Sequence, residues 1–591
     1  MAEYKLGKWD LSKISKDPKS PEFKKKIKEI QNLALKFERK KSKLDPKMSS
    51  KNFMSIIYDL EKISEKMSLI GGYASLSYSA NTQSDEATSL MTMMSKLGSD
   101  ISNKILFFDL WWKTRIDEKN AQRLIRGSGE ISEYLKHKRL VAKYSLSEPE
   151  EKIINTLDVT GISALVKLYD KITNSYQYKM KVGNKTKILT REELTNFVRS
   201  SNAKTREEAY KTLLTKYFEN KGVIGEIYQN IVLNWKHEGI DIRGYKTPIS
   251  MRNIGNDVDD ETVDSLLRVC RKNSHVFQKF FVQKAKMLKM KKLRRYDLYA
   301  PAAKNIKEKN YSYDHSVKLV FNSLGKFSSR LENFAKKVFD EKHIDSSVRP
   351  GKRDGAFCST LSPKITPFVL VNFTGKSRDV FTLAHELGHA VHSQAAQDRS
   401  ILTQDAPLPL AETASTFSEL LLYDNISKEI SDDEKKIILS EKIDDLYATI
   451  MRQSFFTIFE KEAHSLIGQG TTIDEISQIY LKNLKEQFGN SVAMTGDFAI
   501  EWSCIPHFYH TPFYCYAYSF GNLLALSLFQ RYKKEGNDFA PDYIEILSSG
   551  GSKKPETLLS EHGLDIRSSK FWQEGFDYIK TQVKELESLN Q

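Results

Sequence analysis

The densest chemistry in the sequence lies in the stretch His385-Glu386-Leu387-Gly388-His389. Histidines four apart on a helix stand one above the other, about 5–6 Å between their Cβ atoms. Both can therefore reach one metal ion. Glu386 is rotated by about 100° from His385. It cannot easily join the same ligand set and is placed instead to touch a water at the metal. The flanking residues Val380, Phe381, Leu383, Ala384, Leu387, Ala390 and Val391 predict a buried helix. A buried trio of His, Glu and His without a metal would be costly. Gly388 inside that helix costs about 1 kcal/mol relative to Ala, which predicts the close approach of another chain segment.

A catalytic zinc takes three protein ligands and keeps one position for water, so a third ligand is required. Glu412 is the choice, an isolated carboxylate among small and apolar residues in Pro409-Leu-Ala-Glu412-Thr-Ala-Ser-Thr-Phe417 on a predicted helix. Glu419 follows two turns later on nearly the same face and is expected to hold a ligand histidine in its tautomer. Asp405 is a weaker rival for the third position. His392 would put three ligands along one line, so it reads as packing or as support for a ligand. With such a site, amide hydrolysis follows: the metal makes water acidic, and Glu386 takes its proton and later delivers it to the leaving amine. The oxyanion then needs a donor. The stretch from His507 to Tyr518 holds two histidines and four tyrosines in twelve residues and reads as an active-site wall.

These residues must be held by a large fold. The chain has 591 residues, 40% of them hydrophobic and 11% aromatic, with only 28 Gly and 15 Pro. That excludes a disordered or collagen-like chain and favours helix. No run of apolar residues is long enough to span a membrane. The start of the chain lacks the apolar segment of a secretory signal, so a cytoplasmic location is expected. The four cysteines show no paired spacing and fit a reducing compartment. The 91 basic against 76 acidic residues give a formal charge of +15. The basic runs are scattered and carry no nucleic-acid reader motif, so no nucleic-acid partner is expected.

Most of the sequence has helical periodicity. Phe53, Ile57, Leu60, Ile63, Met67 and Ile70 form one face of an amphipathic helix. A β-hairpin is predicted from Tyr176–Val182 and Thr186–Leu189 around the turn Gly183-Asn184, followed by a capping box from Thr190 to Glu193. A second strand-rich island spans Gly355–Thr360 and Pro367–Phe373. Candidate boundaries fall near Ser200–Lys204 and at Arg349–Arg353.

Together these stretches resemble the thimet oligopeptidase and oligoendopeptidase F group of zinc metallopeptidases, the oligoendopeptidase F branch most. The resemblance is carried by Asp379–His392, by Leu410–Phe417, and by Ile505–Tyr509 with Pro512–Tyr516. Weaker similarity lies in Arg243-Gly-Tyr245, Tyr296-Asp297, Gly351–Phe357 and Phe571–Phe576. It covers about Thr190 to the C-terminus. The resemblance implies a mainly α, two-lobed metallopeptidase enclosing a deep channel, with a small β element beside the HExxH helix. It implies an N-terminal helical region over 1–189 and a catalytic region over 190–591, and movement of the two lobes to admit substrate. It implies one Zn2+ per chain held by His385, His389 and Glu412, with Glu386 as base. His507, Tyr514 and Tyr516 are implied on the substrate side, with Tyr509 and His510 in reserve; Phe513 stands where one branch has tyrosine. Gly355, Ala356 and Phe357 are a candidate edge for pairing with substrate backbone. The expected activity is cleavage of internal bonds in oligopeptides. The rivals are a related zinc carboxypeptidase and a catalytically silent peptide-binding relative.

Overall fold

The computed structural model describes residues 3–183, 185–301 and 310–591. The chain is mainly helical and divides into two compact units, each drawn from three stretches. The first comprises Met1–Lys143, Glu308–Glu429 and Leu528–Leu564. The second comprises Tyr144–Lys307, Ile430–Ser527 and Asp565–Gln591. The division expected at 189/190 lies within the second unit. Turn-forming residues mark where single elements end, whereas a compact unit is defined by which faces bury one another.

In the first unit the helices Pro21–Glu38, Ser50–Ala80 and Asp85–Leu110 pack together. The predicted stripe is the buried face of the second of these, with Phe53, Ile57, Leu60, Ile63 and Ile70 inside. Met67 is half-buried. The helix outruns the stripe at both ends. Ser49 caps its start by accepting from the Asn52 N–H at 3.2 Å.

The strand-rich island forms a three-stranded sheet. Phe368–Leu370 lies in the middle, parallel to Ile344–Asp345 and antiparallel to Phe357–Ser359. Its three residues are buried on both faces, as their apolar character requires. Phe357–Ser359 is an edge strand, with Phe357 opposite Leu370. The Arg349–Arg353 stretch, a candidate boundary, is instead a tie within this unit. Asp345 is fully buried and accepts from both terminal nitrogens of Arg349 at 2.6 and 2.7 Å. Lys352 pairs with the same carboxylate at 2.9 Å and donates to the carbonyls of Asp345, Ser347 and Val371. Two cations share the one carboxylate and the carbonyls complete the bonds of Lys352, which is what makes the burial tolerable.

The second unit carries the hairpin. Tyr178–Val182 pairs antiparallel with Lys185–Leu189, Tyr178 opposite Leu189. Gly183 takes the left-handed conformation at φ 63°, the turn geometry expected of it; Asn184 lies outside the described residues. Thr190 and Glu193 form the predicted capping box, with the Thr190 N–H donating to Glu193 at 2.8 Å. The Ser200–Lys204 stretch is tied in as well: buried Arg206 donates to the Ser200 carbonyl and pairs with buried Asp297 at 2.6 Å. Among the described residues, no helix is long and apolar enough to cross a membrane.

Removing the Asp345 carboxylate would leave Lys352 buried without its counter-charge. Asp345→Ala is expected to lower the unfolding free energy by about 3–5 kcal/mol, read by chemical denaturation. A loss below about 1 kcal/mol would mean that the three carbonyls alone satisfy Lys352.

Candidate metal centre

The motif lies on the helix Ser377–Ala395 of the first unit. Asp379 fixes its start by accepting from the N–H groups of Thr374 and Lys376 at 2.6 and 3.2 Å, which also places negative charge at the helix N-terminus. The helix packs against Ser329–Asp340, Thr413–Ile426, Ala540–Ser548 and the strands Phe357–Ser359 and Phe368–Leu370. Thr413–Ile426 is buried on nearly every face. The predicted close approach occurs between these two helices. A Cβ on Gly388 would stand 2.5 Å from the Ala414 carbonyl oxygen and 2.6 Å from the Ser415 Cα.

That approach sets the geometry. Ligand atoms of His385, His389 and Glu412 all lie within 4.8 Å of one another. The Glu412 Oε2 is 3.3 Å from His385 Nε2 and 3.5 Å from His389 Nε2. Glu412 sits not within a helix, as the sequence suggested, but at the junction between the single turn Leu408–Ala411 and the start of Thr413–Ile426. Ser415 donates to its Oε2 at 2.7 Å. The Glu419 Oε1 is 2.5 Å from His385 Nδ1, which turns the other nitrogen, Nε2, toward the trio. Two imidazoles and a carboxylate, one imidazole braced by a second carboxylate, are a donor set that fits a divalent metal such as zinc.

The electrostatics separate the carboxylates. Burial alone would raise the Glu412 pKa, but His385, His389 and Ser415 together lower it to about 2. Glu386 is 7% exposed and lacks such partners. Burial pushes it up to about 7; the pull of His385 opposes this, and the weaker repulsions of Glu412 and Glu419 add to it. Burial opposes a charge on His385, yet hydrogen bonds to Glu412 and Glu419 raise its pKa well above the ordinary imidazole value. A metal must displace that proton. Burial lowers His389, and lowers buried His392 to about 4, keeping both neutral. A cavity of about 460 Å³ opens over the trio. His385, Glu386, His389, His392 and Glu412 line it, with Ala356 and Phe357 of the edge-strand region. Gly355, with φ 77°, is not among the lining residues, and its carbonyl accepts from Asn372 at 2.9 Å.

A family model for peptidase family M3 matches residues 196–578 of the sequence. The chain belongs to peptidase family M3. This M3 peptidase is 28% identical to an oligoendopeptidase F homolog of Borreliella burgdorferi, over 99% of the chain and 98% of that protein. It is 25% identical to the chromosomal oligoendopeptidase F of Lactococcus lactis subsp. cremoris, over 92% and 90% of the two chains. Its fold matches a crystal structure from Chlamydophila abortus with a TM-score of 0.88 at 24% identity, covering 98% of each chain. It also matches oligoendopeptidase-F from Enterococcus faecium with a TM-score of 0.70 at 19% identity, over 96% and 98%. The M3 peptidase is a metalloendopeptidase of the oligoendopeptidase F branch.

The aromatic stretch of the M3 peptidase lies in the second unit. His507, Tyr514 and Tyr518 gather their half-buried rings, with centroids 5.3–6.1 Å apart. In the sequence Tyr518 closes the aromatic stretch and carries no assigned role. Its period-four spacing from Tyr514 is the signal that joins it to this face. Tyr516 is fully buried and its hydroxyl accepts from Asn256 at 2.9 Å. Tyr509 is also buried, stacked on Tyr169 at 3.7 Å. His510 pairs with Asp170 at 2.8 Å. Both residues fasten the short Pro506–His510 helix to Ile162–Asn174, so we assign them packing rather than substrate contact.

The bend before Tyr514 is fixed from two sides. Arg252 donates to the Pro512 carbonyl at 3.1 Å, and the Phe513 N–H donates to Glu460 at 2.8 Å. Phe513 is held at φ 58°, a left-handed conformation that bulky residues seldom adopt. Burial of Glu460, only partly offset by the Phe513 N–H and by Arg252, raises its pKa to about 8.

Gly388→Ala would drive a side chain into backbone. It is expected to cost about 1–3 kcal/mol and to reduce bound metal, read by thermal melting and elemental analysis; unchanged values of both would show that the helices can separate freely. Glu460 has a folded pKa above its unfolded one. The stability it contributes is full below about pH 4.5 and is lost as pH rises through about 8. Glu460→Gln should therefore narrow the difference in melting temperature between pH 5 and pH 9; an undiminished difference would assign it to other groups.

Proposed function

We propose that the chain is a cytoplasmic zinc-dependent endopeptidase that cleaves internal bonds of short oligopeptides, with one zinc per chain. The observation that carries this reading is the convergence of His385 Nε2, His389 Nε2 and Glu412 Oε2, with Glu386 on the same cavity wall. The names of the relatives, oligoendopeptidase F among them, support oligopeptides as the substrate class. Four free cysteines support a reducing compartment.

His385, His389 and Glu412 would hold the zinc ion, which when bound would supply Lewis acidity toward water and a carbonyl. Glu419 keeps the His385 proton on Nδ1 and so leaves Nε2 free as a donor. Glu386 accepts the proton of the attacking water as its oxygen adds to the scissile carbonyl carbon. It then delivers that proton to the amine nitrogen as the C–N bond breaks. Its low exposure keeps competing bulk water from the carboxylate. The edge strand Phe357–Ser359 has an unpaired side that suits an extended peptide, which would run past Ala356 and Phe357. Stabilising the oxyanion falls to His507, Tyr514 and Tyr516. The first two have half-buried side chains able to donate to a ligand, and the Tyr516 hydroxyl keeps its proton while accepting from Asn256.

One observation favours an endopeptidase over a carboxypeptidase. Binding a terminal carboxylate calls for a cation, and among the described residues no lysine or arginine lines the cavity. A silent peptide-binding relative would have no chemical use for a buried Glu386.

Glu386→Gln should retain zinc and lose about 10²–10⁴-fold in turnover of an internally quenched peptide. Mass spectrometry of wild-type products should show internal cleavage. Stepwise loss of terminal residues would point to the carboxypeptidase, and full turnover in the variant would remove Glu386 from the mechanism.

A further inference from the structure

The cavity wall holds two hydrogen-bond acceptors that the mechanism leaves unused. Gln404 is 4% exposed and lines the cavity. Its Nε2 donates to the Ser393 carbonyl at 3.4 Å. The other end, Oε1, is buried with no hydrogen-bond partner. Buried polar atoms are nearly always paired, so an orphan beside a cavity calls for a donor that arrives from outside. The next residue, Asp405, lines the same cavity. Its carboxylate has no hydrogen bond or ion pair among the described residues. The residue is exposed at the surface of the cavity, yet surrounding protein atoms crowd its carboxylate enough to raise its pKa. It does not belong to the group of atoms that could hold the metal.

These acceptors are held rigidly. The Gly551 N–H donates to the Thr403 carbonyl at 2.7 Å. A Cβ on Gly550 would lie 2.5 and 2.6 Å from the Thr403 and Gln404 carbonyl oxygens, and one on Gly551 would lie 2.7 Å from that of Asp405. Two consecutive glycines thus let one loop seat directly on the backbone of another. The Arg399 side chain adds a tie by donating to the Ser548 carbonyl at 2.8 Å. A preorganised pair of acceptors binds with little ordering cost.

The surroundings select the charge of the guest. The sequence has 91 lysines and arginines, yet among the described residues the only charged side chains lining this cavity, histidines aside, are Glu386, Asp405 and Glu412. A bound dication would answer Glu412 and lie near Glu386, leaving Asp405 as the unanswered charge. We infer that Gln404 and Asp405 form a subsite for a cationic group of the substrate peptide, a lysine or arginine side chain or the amino terminus. The inference rests on the peptidase reading for its substrate class and adds a charge preference to it. An ammonium or guanidinium group would donate to Asp405, a charge-assisted hydrogen bond, and a turn of the Gln404 amide would offer its Oε1 as a second acceptor.

The test uses N-acetylated, quenched decapeptides with Lys, norleucine or Glu at each position in turn, and one peptide with a free amino terminus. Two readouts are taken: turnover by the zinc enzyme, and peptide affinity of Glu386→Gln by calorimetry. At one position Lys should exceed norleucine by about tenfold, mainly in KM and in affinity. Asp405→Asn should bring that ratio near one with zinc content and melting temperature held, and Asp405→Lys should shift the preference to Glu at that position. A gain confined to the free amino terminus and lost in Asp405→Asn would support the subsite with the terminus as guest. A charge preference in affinity with no turnover would support the subsite and remove the peptidase reading. Equal Lys and norleucine values in both readouts, a ratio unmoved in Asp405→Asn, or loss of zinc from that variant would overturn the subsite.

Discussion

The candidate centre depends on one contact between two backbones. Gly388 lets the helix Ser377–Ala395 come so close to Thr413–Ile426 that a single methyl group would collide with Ala414 and Ser415. At ordinary helix separations of 8–10 Å, side chains fill the gap. Here the gap is closed, and carboxylates at the start and in the middle of one helix reach the histidines of the other. Glu412 meets His385 and His389 at the start, and Glu419 meets His385 from the other side. Because Thr413–Ile426 is buried on nearly every face, it has little freedom to slide or roll.

That closeness also sorts the charges. Glu386 and Glu412 line one cavity, yet their proton affinities are driven in opposite directions. Glu412 has two imidazoles and a hydroxyl turned toward it, and its charge is favoured. Glu386 has no such partner turned toward it, and burial disfavours its charge. Two carboxylates with separated pKa values are the usual sign that one holds and the other exchanges protons.

The centre was legible where its logic is local. Histidines four apart declare their shared face by spacing alone, and Gly388 announced a close neighbour by being costly where it stands. Glu419 followed from its two-turn distance to Glu412. The junction position of Glu412 was not legible, because nothing in Leu-Ala-Glu-Thr-Ala marks a break between a single turn and the next helix. Tyr509 and His510 looked like part of an active-site wall because their types invite it. Their partners, Tyr169 and Asp170, lie hundreds of residues away, and a single sequence does not record that pairing. The β island was legible as apolar and β-branched, and the hairpin from its alternation and turn. The Arg349–Arg353 stretch looked like a linker because charged and flexible residues usually face water. Buried Asp345 reverses that rule by collecting their charges.

The interleaving of the two units has a consequence for how the protein is made. The unit that carries the HExxH helix needs Leu528–Leu564, and the helix Ala540–Ser548 from that stretch packs directly on the motif helix. Gly550 and Gly551, from the same stretch, seat the loop that holds Gln404 and Asp405. A nascent chain on the ribosome therefore presents its histidines long before the segment that covers them has been translated. Pairings so distant in sequence are slow to form, and the exposed apolar face of the motif helix would call for chaperone cover in the interval. A degradative centre assembled only as the last part of the chain emerges stays incomplete while its own unfolded chain lies nearby.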